Sequence, residues 1–423
     1  DTILMSWVIF TIWQLAAFFT TKRFFYFFFA CVGIAGGMMT KGPVALIVPL
    51  FAFGSHFLLQ RNFKVFFKWQ YLAGIFIIGI LLFPMCIGLY QQFDMQPAKM
   101  VNGKTNVSGL RFFFWTQSFG RITGESDWKN NSTIFFGLQN MLWSFLPWII
   151  IFLAGLLINM KDIVRQRFLL LQGQEAITTG GFILTYLSLG LSKYQLPHYI
   201  FVVFPLAAII TAKFLHALMY QKKHATLHRY FLISHSIIFF LLWLGLIALM
   251  AIPFAGIAAW VTVSATLFFI TWLFCMFYYK KQKRWLFTSA VATIIAINLF
   301  LNSSFYPALL QYQMGNKAGR WLHLKEIPPQ NIFIYQYPEM RSLHFYAKAN
   351  IYHQDVVDSI QPGNWIITLP ERLTDITRAG LSYQVFFKGE EFHISRLSLK
   401  FLNPSTRPLQ LSKYVIVKIG PSN

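Results

Sequence analysis

The sequence predicts a polytopic α-helical membrane protein of about ten spans that ends in a small soluble α/β domain. Its 423 residues are 56% apolar and 18% aromatic, and only 12% are charged. Such a balance excludes an ordinary soluble domain. Apolar runs close to 20 residues, the length a helix needs to cross the hydrocarbon core, follow one another with short basic links between them. After Asn302 the runs stop and short alternating segments take over, so residues 1–302 read as the membrane part and 303–423 as the soluble domain.

Windows of about 20 residues place spans near Ile3–Thr20, Phe24–Met39, Val44–Leu59, Tyr71–Tyr90, Ile134–Asn159, Ala176–Leu191, Tyr199–Tyr220, Phe231–Ala251, Phe254–Tyr279 and Leu286–Asn302. A formal charge of +22 would suggest nucleic acid in a soluble protein. Here the basic residues sit in the links, where orientation explains them better. Alternate links collect Lys22 and Arg23, then Arg61, Lys64 and Lys68, then Lys161, Arg165 and Arg167, then Lys222, Lys223 and Arg229, and last Lys280, Lys281, Lys283 and Arg284. That face is expected to be cytoplasmic, and no nucleic-acid partner is expected. Cys31, Cys86 and Cys275 lie inside apolar runs and read as small buried hydrophobes rather than a disulfide framework. The chain opens at Asp1 rather than Met, so further sequence is expected upstream.

The opposite face collects the turn Thr40-Lys41-Gly42-Pro43, the long loop 91–133, the link Ser192–His198 and the soluble domain. A loop of that length is usually functional when it is not disordered. Its stretch Arg111–Arg121 is aromatic enough to read as an interfacial helix. In the soluble domain, strands are predicted at Asn331–Tyr337, Asn364–Leu369, Tyr383–Phe387 and Tyr414–Ile419, with helices at Asn316–Lys325 and Met340–Lys348. Three glycosylation-type triplets, at Asn106, Asn130 and Asn131, are too short a pattern to carry weight.

Carboxylates are scarce in the membrane part. On the face that carries the loops they reduce to Asp1, Asp94, Glu125 and Asp127; Asp94 most simply serves as a solvated loop charge, and Glu125 and Asp127 fit that role or a place in a site equally well. The cations there are Lys41, Arg111, Arg121 and Lys193, with His198 and Tyr199 beside the last. A lysine at a membrane face is ordinarily an anchor that snorkels to the headgroups. Lys and Arg together with a tyrosine hydroxyl are also the donors a phosphate wants, and a polar turn at a helix restart, as in Lys193-Tyr-Gln-Leu-Pro-His198-Tyr199, usually lines a site. The chain has no dinucleotide fingerprint, Walker pattern, paired CxxC, HExxH or nucleophile elbow. What survives is transfer chemistry on a lipid-borne phosphate ester.

Four motifs occur in order on this face: Thr40-Lys41-Gly42-Pro43, Phe113-Phe114-Trp115 to Gly120-Arg121, Trp143-Ser-Phe-Leu-Pro147-Trp148, and Ser192-Lys193-Tyr-Gln-Leu-Pro197-His198-Tyr199. Together they resemble the bacterial GT-C class membrane glycosyltransferases, in particular the lipid A aminoarabinose transferases and their kin among the protein O-mannosyltransferases. The resemblance implies a multi-pass protein of the bacterial cytoplasmic membrane with an extracytoplasmic C-terminal domain. It also implies a polyprenyl-phosphate sugar donor, a lipid, glycan or protein acceptor, and an inverting transfer. By motif position Lys41, Arg121 and Tyr199 would contact the donor phosphate, and Lys193 and His198 would line the same cavity. Asp1 resembles an acidic residue that opens a helix of the family and is the candidate catalytic carboxylate. The family's first external loop, with its catalytic aspartate, would precede Asp1, so the chain is expected to be incomplete at that end. No cofactor is implied, and a divalent metal stays open.

Two other readings stand beside the transferase. A lipid-linked saccharide transporter would place ionisable groups at mid-depth in two related halves, whereas here the charges gather at one face. A non-catalytic membrane anchor would use the soluble domain to bind a partner.

Overall fold

The computed structural model describes every residue except 102, 126–128, 131, 221–224, 255, 280–283, 339 and 423. Asp127, Asn131 and the link lysines 222, 223, 280, 281 and 283 therefore lie outside the described residues. The chain forms two compact units, Asp1–Leu232 and Ile233–Asn423. The division falls inside the apolar helices, upstream of the composition change at 302/303.

In the first unit the helices are α1 (Thr2–Thr21), α2 (Phe24–Lys41), α3 (Val44–Leu59), α4 (Gln70–Leu89), α5 (Phe136–Ser144), α6 (Ile149–Arg165), α7 (Ile177–Gly190) and α8 (Phe204–Tyr220). Helices α1 and α2 are joined through Lys22 in the left-handed conformation, and they run antiparallel along a seam of small residues. A Cβ on Gly33 would lie 2.4 Å from Thr11 Oγ1, and one on Gly36 would lie 2.6 Å from the Trp7 ring. The pair can approach this closely only with glycine there. Leu4, Val8 and Ile12 of α1, Ala35 and Met38 of α2, Val48 and Ala52 of α3, Phe182 of α7 and Leu206 of α8 share one buried core. Glu175 opens α7 by accepting from Thr178 N at 3.0 Å and pairs with Lys213 Nζ of α8 at 2.7 Å. Burial pushes the Glu175 carboxyl up, but the lysine and Thr178 outweigh it and hold it below its usual value.

Where a single span was expected over Ile134–Asn159, the structure has two helices, α5 and α6, broken at Phe145–Trp148. Pro147, which lacks a backbone donor and disfavours a helix interior, lies in this break. The span expected from Tyr199 opens instead as a 3-10 turn over Pro197–Val203 before α8 begins. An interfacial helix was expected at Arg111–Arg121; the stretch is helical in two pieces, a wide-turned stretch through Thr116 and a short helix Phe119–Thr123, interrupted at Gln117 and Ser118.

The second unit contains α9 (Ala225–Ala251, from Ile233 on), α10 (Ala259–Tyr279), α11 (Trp285–Phe300), α12 (Met314–Leu324), α13 (Arg341–Ala347) and α14 (Leu373–Arg378). Trp243, Phe269 and Trp272 stack between α9 and α10. Strands β1 (Ile332–Ile334), β2 (Tyr352–His353), β3 (Trp365–Thr368), β4 (Leu381–Glu391) and β5 (Ser412–Ser422) form one mixed sheet in the order β2-β1-β3-β5-β4. β1 pairs in parallel with β2 and β3, while β5 runs antiparallel between β3 and β4. Strand alternation sends Ile367, Tyr414 and Ile416 towards α12 and α13. It sends Ile366, Val415, Val417 and Ile419 towards α14. Both faces are covered, as expected of a small α/β layer.

Among the described residues, seven helical segments are long and apolar enough to cross a membrane, and Val44–Leu59 and Ile177–Gly190 are shorter apolar helices. The chain is a multi-pass membrane protein with a small C-terminal sheet domain.

Candidate functional site

The start of α1, the end of α2, the 3-10 turn before α8 and the loop residues 109–125 meet in the first unit. Because α1 and α2 form a hairpin, Asp1 at its opening and Lys41 at its close come to the same end. Lys41 Nζ donates to Asp1 Oδ1. The second carboxylate oxygen lies 3.0 Å from His198 Nε2. The Asp1 side chain is only 8% exposed, against 29% for Lys41 and 48% for His198, so the carboxylate is the inner member of the trio and the imidazole the outer one.

Tyr199 ties this trio to the loop. Lys41 Nζ stands 3.8 Å above its ring, a cation–π distance. The Tyr199 hydroxyl accepts from Arg121 Nη1 at 2.5 Å, and the Arg121 guanidinium also packs over the Tyr194 ring at 5.3 Å. Two cations thus converge on one phenol, one over its ring and one at its hydroxyl.

Local sequence explains why these side chains meet. Gly42 holds φ 74 and closes α2, and a Cβ there would stand 3.1 Å from the Phe113 carbonyl oxygen. Glycine is required on both counts, and Pro43 starts α3 at φ −60. The loop is stitched down by Glu125, which accepts from Arg111 Nη2 and Trp115 Nε1, each at 2.8 Å. Asp94 accepts from Gly109 N at 2.9 Å and anchors the loop's helical start. These two carboxylates are therefore structural. Arg121 O accepts from Lys193 N at 2.9 Å, which joins the loop to the link before α8. Buried Gln195 exchanges bonds with Asn130, donating from its backbone at 3.2 Å and accepting at 2.7 Å.

A cavity of about 100 Å³ opens among these groups. Asp1, Lys41, Arg121 and Tyr199 line it, together with the polar side chains of Gln117, Ser118, Ser188 and Ser192 and the apolar Leu4, Val44, Ile47 and Val202. His198 reaches the site through Asp1. Lys193 does not line the cavity; its side chain lies against Gly124, where a Cβ would be 2.6 Å from Nζ. Sequence reasoning passed over Gln117 and Ser118, although both fall inside an aromatic motif; two polar residues breaking an aromatic run were the available signal. Ser188 sits in an apolar helix and gave none. Among the described residues no group of three or more His, Cys, Asp or Glu could hold a metal ion. Chemically, the cavity offers two cations, a phenol and serine and glutamine hydrogen-bonding groups for an anion, with a carboxylate in its lining and an imidazole bonded to that carboxylate from outside.

No family model matches the chain. It is 27% identical over 189 residues to the undecaprenyl phosphate-alpha-4-amino-4-deoxy-L-arabinose arabinosyl transferase of Edwardsiella ictaluri, a match covering 44% of this chain and 30% of that relative. The chain thus matches under a third of the relative's length. Among solved structures it is similar to ArnT from Cupriavidus metallidurans bound to undecaprenyl phosphate, with a TM-score of 0.61 and 15% identity over 92% of this chain and 68% of that one. The apo state of the same protein gives 0.63 and 14% over 98% and 73%. The chain therefore has the fold of the GT-C class aminoarabinose transferases and resembles them in sequence.

Proposed function

We propose that the chain belongs to the machinery that transfers a sugar from a polyprenyl-phosphate donor to a lipid, glycan or protein acceptor, in the cavity described above. The observation that carries this reading is the convergence of Lys41 and Arg121 on Tyr199 in a cavity lined by both polar and apolar side chains. A lipid phosphate combines the same two kinds of surface. The solved relative that shares the fold is described as bound to undecaprenyl phosphate, and the curated relative as a transferase named for an undecaprenyl-phosphate sugar.

In this mechanism the arriving phosphate takes over Lys41 and Arg121, whose charges offset the negative charge that develops on the leaving group. Lys41 turns from Asp1 to the phosphate, and the freed carboxylate becomes basic enough to act. Asp1 then accepts the proton of the acceptor hydroxyl, whose oxygen bonds to the anomeric carbon as the carbon–phosphate oxygen bond breaks. One displacement inverts the anomeric centre, and polyprenyl phosphate departs with the bonding electrons. His198, held on the second oxygen of Asp1, orients that carboxylate. Lys193 acts from the cavity's rim by holding the Arg121 loop through its backbone. The basic links would face the cytoplasm of a bacterial inner membrane, and residues 303–423 would form a periplasmic domain.

Transfer of a radiolabelled sugar from its polyprenyl phosphate, measured with the natural full-length protein, tests the reading. Lys41→Ala and Arg121→Ala should each abolish transfer while the helical fold persists by circular dichroism. Near-normal transfer in both variants refutes the assignment. Movement of the labelled lipid across vesicles without covalent transfer would favour the transporter instead.

A further inference from the structure

A second cavity starts at the closed end of the α1–α2 hairpin, away from Asp1 and Lys41 at its open end. It holds about 300 Å³ between α1, α2, α3, α4 and the 3-10 turn Phe63–Phe67, with Phe19, Phe27, Leu46, Gly54, Phe57 and Tyr71 in its lining. Apart from Cys31 and the Tyr71 hydroxyl, every side chain of that lining is apolar. Helix α1 contributes only its last turns, and α2 and α4 their first halves. Along α3 the cavity runs from Leu46 to Phe57, roughly 16 Å at the helical rise per residue. That is about one leaflet of a ~30 Å hydrocarbon core.

Two cations border one end of this cavity. Lys68 Nζ lies 5.3 Å from the centre of the Phe19 ring and 5.5 Å from that of Phe18, within cation–π range. Lys22, in the left-handed conformation that ends α1, donates from Nζ to the Phe19 carbonyl. The Phe19 ring packs on Phe53 and Phe57 at 5.2 and 4.7 Å, so both ammonium groups gather where the last turns of α3 close the cavity. Among the described residues neither lysine forms an ion pair. Burial, with Lys22 beside it, holds the Lys68 ammonium below its usual value, and an anion between the two would relieve that repulsion. Gly54 faces the apolar part of the same space. A Cβ there would meet no atom within 4 Å.

We propose that the cavity holds an acyl chain of an anionic glycerophospholipid whose phosphodiester lies between Lys22 and Lys68, in the leaflet on the side of the basic links. Charge chooses the headgroup, because a zwitterionic lipid brings its own cation to a place that already has two, and like charges so juxtaposed are costly. Depth chooses the chain. The twenty residues of α1 separate Asp1 from Lys22, about 30 Å of helix, so a phosphate held here does not reach the Lys41 cavity and the site is distinct from that of the proposed transfer. Lysines that merely snorkel to the headgroups would hold no particular lipid. Bound in place, the lipid fills the gap among the four helices, ties the closed end of the hairpin to α4, and stabilises the fold by mass action.

Native mass spectrometry of the natural full-length protein, released from detergent micelles doped with equal amounts of phosphatidylglycerol and phosphatidylcholine, tests the proposal. Phosphatidylglycerol should stay bound with at least fivefold preference over phosphatidylcholine. Combined Lys22→Gln and Lys68→Gln should abolish that preference, whereas combined Lys161→Gln and Arg165→Gln, in another basic link, should leave it intact. Gly54→Phe fills the cavity and should cut retention of both lipids at least fivefold, while the melting temperature without added lipid is unchanged or raised. As a second readout, added phosphatidylglycerol should raise the melting temperature of the parent more than phosphatidylcholine does, and the double lysine variant should lose the difference. Equal retention of the two lipids, a preference that survives in the double lysine variant, or retention unaltered by Gly54→Phe overturns the proposal. So does displacement of the lipid by undecaprenyl phosphate at equal concentration, or a dimer that carries no lipid, since either assigns the cavity to another occupant.

Discussion

Tyr199 receives a hydrogen bond from one cation and offers its ring to another, so its two functions separate in a single substitution. Tyr199→Phe keeps the ring beneath Lys41 and removes the hydroxyl that holds Arg121. A hydrogen bond to a charged group contributes about 1.5–3 kcal/mol, so transfer should fall by about ten- to a hundredfold with little change in melting temperature. Assay of labelled sugar transfer beside a thermal melt checks both halves. At this scale the sequence was informative wherever a charged residue had to sit at the end of an apolar run. Asp1, Lys41, Arg121 and Tyr199 stand around one cavity because helix ends bring them there. The aim of Lys193 was not legible. Its backbone is spent on Arg121 and Asn130, a contact between segments some 70 residues apart that no local pattern encodes, and its side chain turns to Gly124.

Among elements, the α1–α2 hairpin sets the position of both Asp1 and Lys41, and the glycine seam sets the hairpin. Gly33→Val would drive a side chain into Thr11 at the site of a 2.4 Å approach. Overpacking of this kind costs about 1–3 kcal/mol, and a melt in detergent should register the loss. Spans were legible in the sequence because a run of apolar residues has few alternatives inside a membrane. The break between α5 and α6 was missed because averaging over a window hides a single proline in an otherwise apolar stretch. Strand β2 was missed because two exposed residues cannot carry an alternating pattern; it forms by pairing with β1.

The end of β4 makes a further element-level prediction. Burial raises the Glu391 carboxyl above its usual value, and Tyr337 and His393 only partly oppose this. A carboxyl whose pKa is raised by folding contributes stability that is full below its unfolded pKa and is lost as pH climbs through the folded one. Protection of β4 and β5 amides against hydrogen exchange should therefore decline as pH rises above the ordinary carboxylate range, after correction for intrinsic exchange. Glu391→Gln keeps an acceptor for Tyr337 without the charge, so its protection should be flat over the same interval and exceed the parent's at neutral pH. Equal pH profiles would show that the carboxyl titrates normally.

For the whole molecule, the alternation of basic links makes a statement about sidedness that can be read directly. Single cysteines introduced at Gln96, Ser118 and Ser192, in a chain with Cys31, Cys86 and Cys275 replaced, should react with an impermeant maleimide from one side of sealed vesicles. Cysteines at Asn62 and Gln166 should react only from the other. The three native cysteines are buried or half-buried, and alanine is the replacement that buries no new polar group. Overall hydropathy made the membrane class plain, and the change of pattern after Asn302 announced a sheet. The compact units, which divide at 232/233, were not legible, because side-chain packing between apolar helices leaves no mark in composition.

The clasp between Lys41 and Asp1 has a consequence for turnover. In the unloaded pocket the charge of Lys41 is already answered by Asp1. In the proposed transfer a substrate would have to win the lysine away, and in doing so it would switch on the base. After the transfer the acid form of Asp1 would have nothing to hold the lysine, and the newly dianionic lipid would keep it. Only when that proton escaped, by way of the half-exposed His198, would the clasp close again and expel the spent carrier. Proton exit and carrier release would then be one event, and a solvent isotope effect on steady-state turnover is where it should appear.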